Sequence, residues 1–338
     1  MPMSSEPITI DDIARAAGVH PATVSRALRG VSGKVSPEKR AEIERIAREM
    51  GYQPNYVAAS LRTKQTNIAA IVVPDLNNPV FGPIVQGLER TLRQHQMLCL
   101  IAQTPAAAVE RRDLILALAN RQVSGLLILA AESDDPMLEA AKARKLPVVL
   151  VNRGSGDRDY PSVVNDDRES VRLVLDHLAS LGHRAIAHIA GPAASSTGRA
   201  RREAFDDIAR AMGLKSCTVV EAEAFTRTAG QEAAEKLLSH KTRPTAIFGA
   251  NDLIALGALD VLNARGIKVP QEMSLVGHND MPLVDLVNPP LTTVRIAVEQ
   301  MSEHAAALFL ETLGKPELAP STRVLMPSLV VRKSTAAV

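Results

Sequence analysis

Six stretches of this 338-residue chain gather amides, carboxylates and arginines: "PDLNNPVFG" from Pro74, "NRGSGDRDY" from Asn152, "VVNDD" from Val163, "GPAASSTGRARREAF" from Gly191, "GAND" from Gly249 and "GHND" from Gly277. With "EAF" at Glu223 to Phe225, and with Phe81 and Phe225 as flat walls, these groups suit hydrogen bonding to a small polar ligand such as a sugar, a sugar acid or a nucleobase. They do not compose a catalytic set. No G-x-G-x-x-G follows a strand pattern, no P-loop or nucleophile elbow occurs, and the 8 histidines show no metal-ligand spacing. The chemistry expected is binding rather than catalysis, with no cofactor and no metal.

A second kind of chemistry lies near the N-terminus. Between Asp12 and Glu38 there is no carboxylate, yet Arg15, Arg26, Arg29 and Lys34 fall there. Residues 1 to 64 hold ten Lys+Arg against seven Asp+Glu, whereas the whole chain is only +2. A helix laid against phosphates must avoid anions, because each one repels the backbone and forgoes counterion release. Within "GVHPATVSRALRG", His20, Pro21, Ala22 and Thr23 would then stand nearest the bases, with Arg26 offering a two-donor fork to a guanine edge. A basic, protein-binding helical module is the competing reading of the same charges.

The elements that must position these groups follow from local pattern. Thr9 and Asp12 form a capping box for a helix ending at Gly18, and a second helix starts near Pro21 with Val24, Ala27 and Leu28 facing Ile13 and Ala17. Ser36 and Pro37 open a third, with Ile43, Ile46, Ala47 and Met50 inward and Gly51 closing it. Three short helices, two joined by a glycine turn, describe a helix-turn-helix head over residues 1–52. Residues 53–64 follow as a hinge helix and linker: Pro54 and Asn55 precede about two helical turns, too short to persist alone. There Leu61 is placed to wedge between base steps in the minor groove, with Arg62 beside it.

From Asn67 onward apolar runs alternate with helical patterns: "IAAIVV", "MLCLIA", "GLLILA", "PVVLV", "AIAHIA", "CTVV", "TAIFG" and "SLVG". Strands apolar on both faces imply parallel sheets covered by helices, hence an α/β body of two similar lobes with a cleft beyond the strand carboxyl ends. The core is expected over 65–338, with lobes of about 65–165 plus 293–322 and 166–292 plus 323–338, and "TRVLMPSLVVR" as a last strand. Cys99 and Cys217 fit reduced thiols in strands, and the N-terminus has neither basic nor apolar targeting character, so a cytoplasmic protein without a membrane partner is expected.

"ITIDDIARAAGVHPATVSRALRG", "VSPEKRAEIERIAREMGYQPNYVAASLRTKQT", "VVPDLNNPVF", "HLASLGH", "GAND" and "PPLTTVR", in that order, resemble the lactose and purine repressor family of bacterial transcription regulators. The resemblance implies a helix-turn-helix head and hinge helix before a periplasmic-binding-protein-like core. It also implies a homodimer on double-stranded, pseudo-palindromic operator DNA, and an effector in the cleft that changes operator affinity. By position it assigns base reading to Pro21, Ala22 and Arg26 and intercalation to Leu61, with Ser25, Arg29, Asn55 and Arg62 completing the DNA-contacting set. It assigns effector contacts to Phe81, Arg153, Asp166, Thr197, Arg201, Phe225, Asn251 and Asn279. Each of these has a structural competitor: core packing for the phenylalanines, internal ion pairs for Arg153 and Arg201, helix capping for Asp166 and Asn251. His20 departs from the usual Ser or Thr before the recognition helix, and Asn279 stands where many relatives carry an aspartate. A two-lobed solute-binding protein without a role in transcription is the alternative class, which the basic head argues against.

Overall fold

The computed structural model describes residues 8–28, 34–52, 66–129, 131–132, 135–154, 160–214, 216–240, 243–315 and 319–338. The chain forms two compact units, Met1–Thr66 and Asn67–Val338.

The first unit contains α1 (Ile10–Ala17), α2 (Pro21–Leu28) and α3 (Pro37–Glu49). Thr9 and Asp12 form the expected reciprocal capping box at the start of α1. Gly18 ends α1 in the left-handed region at φ 61°, donating its N–H to the carbonyl of Ala14. Such a φ costs an L side chain about 1–2 kcal/mol, so glycine allows the sharp exit that sends the chain into α2. Ser36 accepts from the Lys39 N–H and Pro37 occupies the first turn of α3. The three apolar stripes meet: Ile13, Ala14 and Ala17 pack with Val24, Ala27, Ile43 and Ala47, with Leu28, Ile46 and Met50 at the margin.

The second unit is built on two six-stranded sheets. The first contains β1 (Ile68–Val73), β2 (Leu98–Gln103), β3 (Gly125–Ile128), β4 (Val148–Asn152), β5 (Ser162–Asn165) and β11 (Thr322–Leu325), in the order β11-β5-β4-β3-β1-β2, all parallel. The second contains β6 (Ile186–Ala190), β7 (Thr218–Glu221), β8 (Ala246–Gly249), β9 (Ser274–Asn279), β10 (Thr292–Arg295) and β12 (Ser328–Val330). Its order is β12-β10-β9-β8-β6-β7, parallel except for β12 against β10. The helices are α4 (Phe81–Gln94), α5 (Ala108–Asn120), α6 (Pro136–Ala143), α7 (Asp167–Ser180), α8 (Ser196–Ala211), α9 (Arg227–Leu238), α10 (Asp252–Ala264) and α11 (Val298–Gly314). Strands β1, β3, β4 and β6 are almost wholly buried, as runs apolar on both faces require.

The chain crosses between the lobes after β5, after β10 and after β11. Helix α11 packs on α4 and β4 of the first lobe, where Ser302 donates to the Ile84 carbonyl at 3.2 Å. Two details differ from expectation. "TRVLMPSLVVR" is two strands in two sheets, separated at Pro327, which has no N–H to give a ladder. The crossings therefore fall at 296–297 and 326–327 rather than at 292 and 322, because a crossing inside β10 or β11 would strand paired backbone groups.

Candidate functional site: a recognition helix and an interlobe cleft

In the first unit, His20 stands just before α2, and its Nδ1 accepts the Ala22 N–H at 3.2 Å. An imidazole nitrogen thus takes the capping role usual for a hydroxyl, which requires that nitrogen to be unprotonated. Pro21, Ala22 and Thr23 are half-buried and Arg26 is exposed, so the basic side chain is available to solvent. Ser25 instead turns inward and is 7 % exposed, on the face that packs against α1 and α3. Arg29, Asn55, Leu61 and Arg62 lie outside the described residues.

In the second unit the expected ligand residues cluster at strand carboxyl ends, and several meet. Arg153, just after β4 in the first lobe, lays its guanidinium over the ring of Phe225, after β7 in the second, at 4.7 Å from the centroid. This contact spans the two lobes. Gly191, after β6, makes room for the ring: a Cβ there would come within 2.4 Å of Phe225. The Phe225 carbonyl accepts from Asn251 Nδ2 at 3.2 Å, while Asn251 Oδ1 caps α10 by accepting from the Ile254 N–H at 2.8 Å. The capping reading of Asn251 thus holds, with its amide nitrogen left to bind Phe225.

Arg201 is 3 % exposed on α8. Its Nε donates to Asp167 Oδ1 at 2.7 Å and its Nη1 to the Ala250 carbonyl at 2.5 Å. Thr197, one turn earlier, bonds Ser195 at 2.9 Å between hydroxyls. Asp166 caps α7, its Oδ1 accepting from the Glu169 N–H at 2.8 Å, so of the two adjacent acids the second one pairs with Arg201. Phe81 starts α4 and is 4 % exposed, packed in the apolar core with Val80 and Ile84. Asn279 ends β9 at φ 117°, and its Oδ1 lies 2.9 Å from Nδ1 of His278.

Burial dominates the electrostatics here. It pulls the Arg153 guanidinium down to about 10, helped by repulsion from Arg201 and opposed by Glu132 and Asp167. It also raises the Asp167 carboxyl, against the attraction of Arg201. Asp252, at the start of α10, is pushed up to about 7 by burial even though the Met281 N–H and the Thr293 hydroxyl donate to it. His188 lies between Phe205 and Phe248, at ring separations of 5.1 and 4.7 Å, and burial lowers it to about 4. Asp167, His188 and His278 were not picked out from sequence. The second acid of "VVNDD" and the histidines interrupting "AIAHIA" and "SLVGHN" were the available signals.

A family model for the periplasmic binding protein-like domain matches residues 175–335, and one for bacterial regulatory proteins of the lacI family matches residues 9–55. The transcriptional regulator DegA of Bacillus subtilis is 33% identical over 333 residues, covering 97% of this chain and 98% of its own. The chain belongs to the LacI family of bacterial transcriptional regulators. Another relative, the transcriptional repressor CytR of Escherichia coli, is 30% identical, with 97% and 96% of the two chains covered. Among solved structures, this LacI-family chain resembles a lac repressor dimer bound to operator and the anti-inducer ONPF, at TM-score 0.83 and 26% identity over 98% of this chain and 100% of the other. It also resembles a complex of the transcriptional regulator CelR with cellobiose, at TM-score 0.74 and 30% identity over 97% and 99% of the two chains. The protein is thus a transcription regulator with a helix-turn-helix DNA-binding domain and a periplasmic-binding-protein-like effector domain. The family head decides against the solute-binding alternative. Among the described residues, no helix is long and apolar enough to cross a membrane.

Proposed function

We propose that this LacI-family regulator is a repressor that binds a pseudo-palindromic operator as a homodimer and changes its grip when a small polar effector occupies the interlobe cleft. The observation that carries this reading is the Arg153–Phe225 contact, which couples the lobes through residues at the strand ends where a ligand would lie. An effector that inserts among Arg153, Asp166, Thr197, Arg201, Phe225, Asn251 and Asn279 adds to that contact and shifts the angle between lobes. In a dimer such a shift alters the spacing of the two segments containing Leu61, and so the fit of two heads to two half-sites. Phe81 supports the cleft wall from within the core.

In the head, His20, Pro21, Ala22, Thr23 and Arg26 face the major groove, with Arg29, Asn55, Leu61 and Arg62 as further contacts. Ser25 serves by orienting α2 from its inner face. Ala22 and Thr23 supply apolar contacts to thymine methyls, and Arg26 reads guanine. The ligand class is a sugar, sugar acid or nucleobase. The cellobiose complex of a structural neighbour supports a sugar-like effector. The test selects a duplex from a random pool, measures its binding by anisotropy, and repeats the titration with sugars, sugar acids and purines. Replacing Arg26 by Ala should cost about 1–3 kcal/mol on the selected duplex and much less on random DNA. Equal losses on both would make Arg26 a phosphate contact, and a selected duplex whose affinity responds to no compound would remove effector control.

A further inference from the structure

We propose that the effector of this regulator carries an anionic group, a carboxylate or a phosphate, that pairs with the Arg153 guanidinium. The proposal rests on the reading of the interlobe cleft as the effector site and adds the charge of its ligand.

The argument is one of partners. Among the described residues, four arginines near the strand ends have an acid partner and Arg153 does not. Arg111 is paired with Glu132 at 2.9 Å, Arg201 with Asp167 at 2.7 Å, and Arg295 and Arg332 share Asp280 at 2.7 and 2.6 Å. Among the described residues Arg153 has no carboxylate within ion-pairing distance, and its Nε is buried without an acceptor. The described acids nearby are committed elsewhere: Glu132 to Arg111, Asp167 to Arg201, and Asp166, through Oδ1, to the α7 cap. Asn279, at the carboxyl end of β9, is an amide bonded to His278 and adds no negative charge.

Nor does the guanidinium escape the problem by losing its proton. Burial brings it down only to about 10, so at neutral pH it remains charged, with Arg201 adding repulsion. A half-buried cation whose Nε is enclosed without an acceptor gains from an added counter-charge. The ring of Phe225 covers one face of the guanidinium, and stacking leaves the in-plane N–H edges for an acceptor. A carboxylate or phosphate takes such an edge with two parallel bonds and cancels the charge; neutral hydroxyls satisfy hydrogen bonds but leave the charge standing.

The experiment is thermal unfolding of the full-length chain at fixed ionic strength with matched pairs: gluconate and glucitol, galacturonate and galactose, glucose 6-phosphate and glucose, and inorganic phosphate against chloride. At least one acidic member should raise the melting temperature while its neutral twin does not. Its apparent affinity should fall roughly ten- to hundredfold in Arg153→Gln, the loss of a charge-assisted fork. Arg153→Lys, which keeps the charge without the fork, should retain part of the effect and serves if the glutamine variant does not fold. Carboxylates or phosphates as the active members would name the source. A neutral twin that stabilises equally, a shift that survives both substitutions, or no Arg153-dependent shift from any anion overturns the proposal. Anisotropy on the selected duplex separates the two readings. A neutral sugar that stabilises and alters DNA affinity keeps the effector site and removes the anion, whereas stabilisation that never alters DNA affinity removes the effector role.

Discussion

Replacing Asp167 separates the charge from the hydrogen bond in the Arg201 pair. Arg201 is 3 % exposed and draws on two acceptors, Asp167 at 2.7 Å and the Ala250 carbonyl at 2.5 Å. Removing one member of a buried ion pair costs about 3–5 kcal/mol, because the remaining charge stays desolvated. In Asp167→Asn an amide oxygen can still accept from Nε, so the loss should sit at the lower end, near 3 kcal/mol. Asp167→Ala removes both and should approach 5 kcal/mol. Adding Arg201→Met to Asp167→Asn should recover much of the deficit, since the stranded cation is then gone. Urea unfolding of the effector-free chain at pH 7, followed by circular dichroism, reads these differences from the midpoints of the core transition. If Asp167→Asn and Asp167→Ala both unfold within about 1 kcal/mol of the unmodified chain, the pair does not hold Arg201, and the reasoning from burial fails.

Three further outcomes follow from the same geometry. His188 is lowered from the ordinary 6.5 to about 4 by burial, so its contribution is whole above pH 6.5 and is lost as pH falls toward 4. The loss amounts to about 3 kcal/mol at 1.36 kcal/mol per pH unit, and stability measured from pH 7 to pH 4 should fall less steeply in His188→Phe; equal slopes would contradict this. Gly18→Ala has open space around its Cβ but keeps φ 61°, so it should cost the first unit only the left-handed penalty of about 1–2 kcal/mol, read as faster amide exchange in α1 and α2. Gly191→Ala puts a methyl within 2.4 Å of the Phe225 ring and should abolish the effector response while leaving effector-free DNA affinity intact; a normal response would detach Phe225 from the site.

The head was legible almost residue by residue. Its capping box, its left-handed glycine and its three apolar stripes are consequences of neighbours within one or two turns, and they appear where local rules put them. The two-lobed body was legible in outline, because strands buried on both faces announce themselves as continuous apolar runs. Its C-terminal crossings were not. "TRVLMPSLVVR" has one hydrophobic texture, and only the ladders available in each sheet split it at Pro327. The burial of Ser25 within α2 was also not legible from the sequence.

Short-range order was therefore written into the order of the residues: where helices begin, which turn needs glycine, which runs enter sheets, and where charge is withheld for a polyanion. Partnership was not. Asp166 and Asp167 are chemically identical neighbours, yet one caps α7 and the other meets a buried arginine. Among the described residues, Glu132 goes to Arg111 and Asp167 to Arg201 rather than to Arg153. Such assignments depend on which side chains from distant parts of the chain the fold brings within a few ångströms, and on how little water is left between them to make any other partner equivalent.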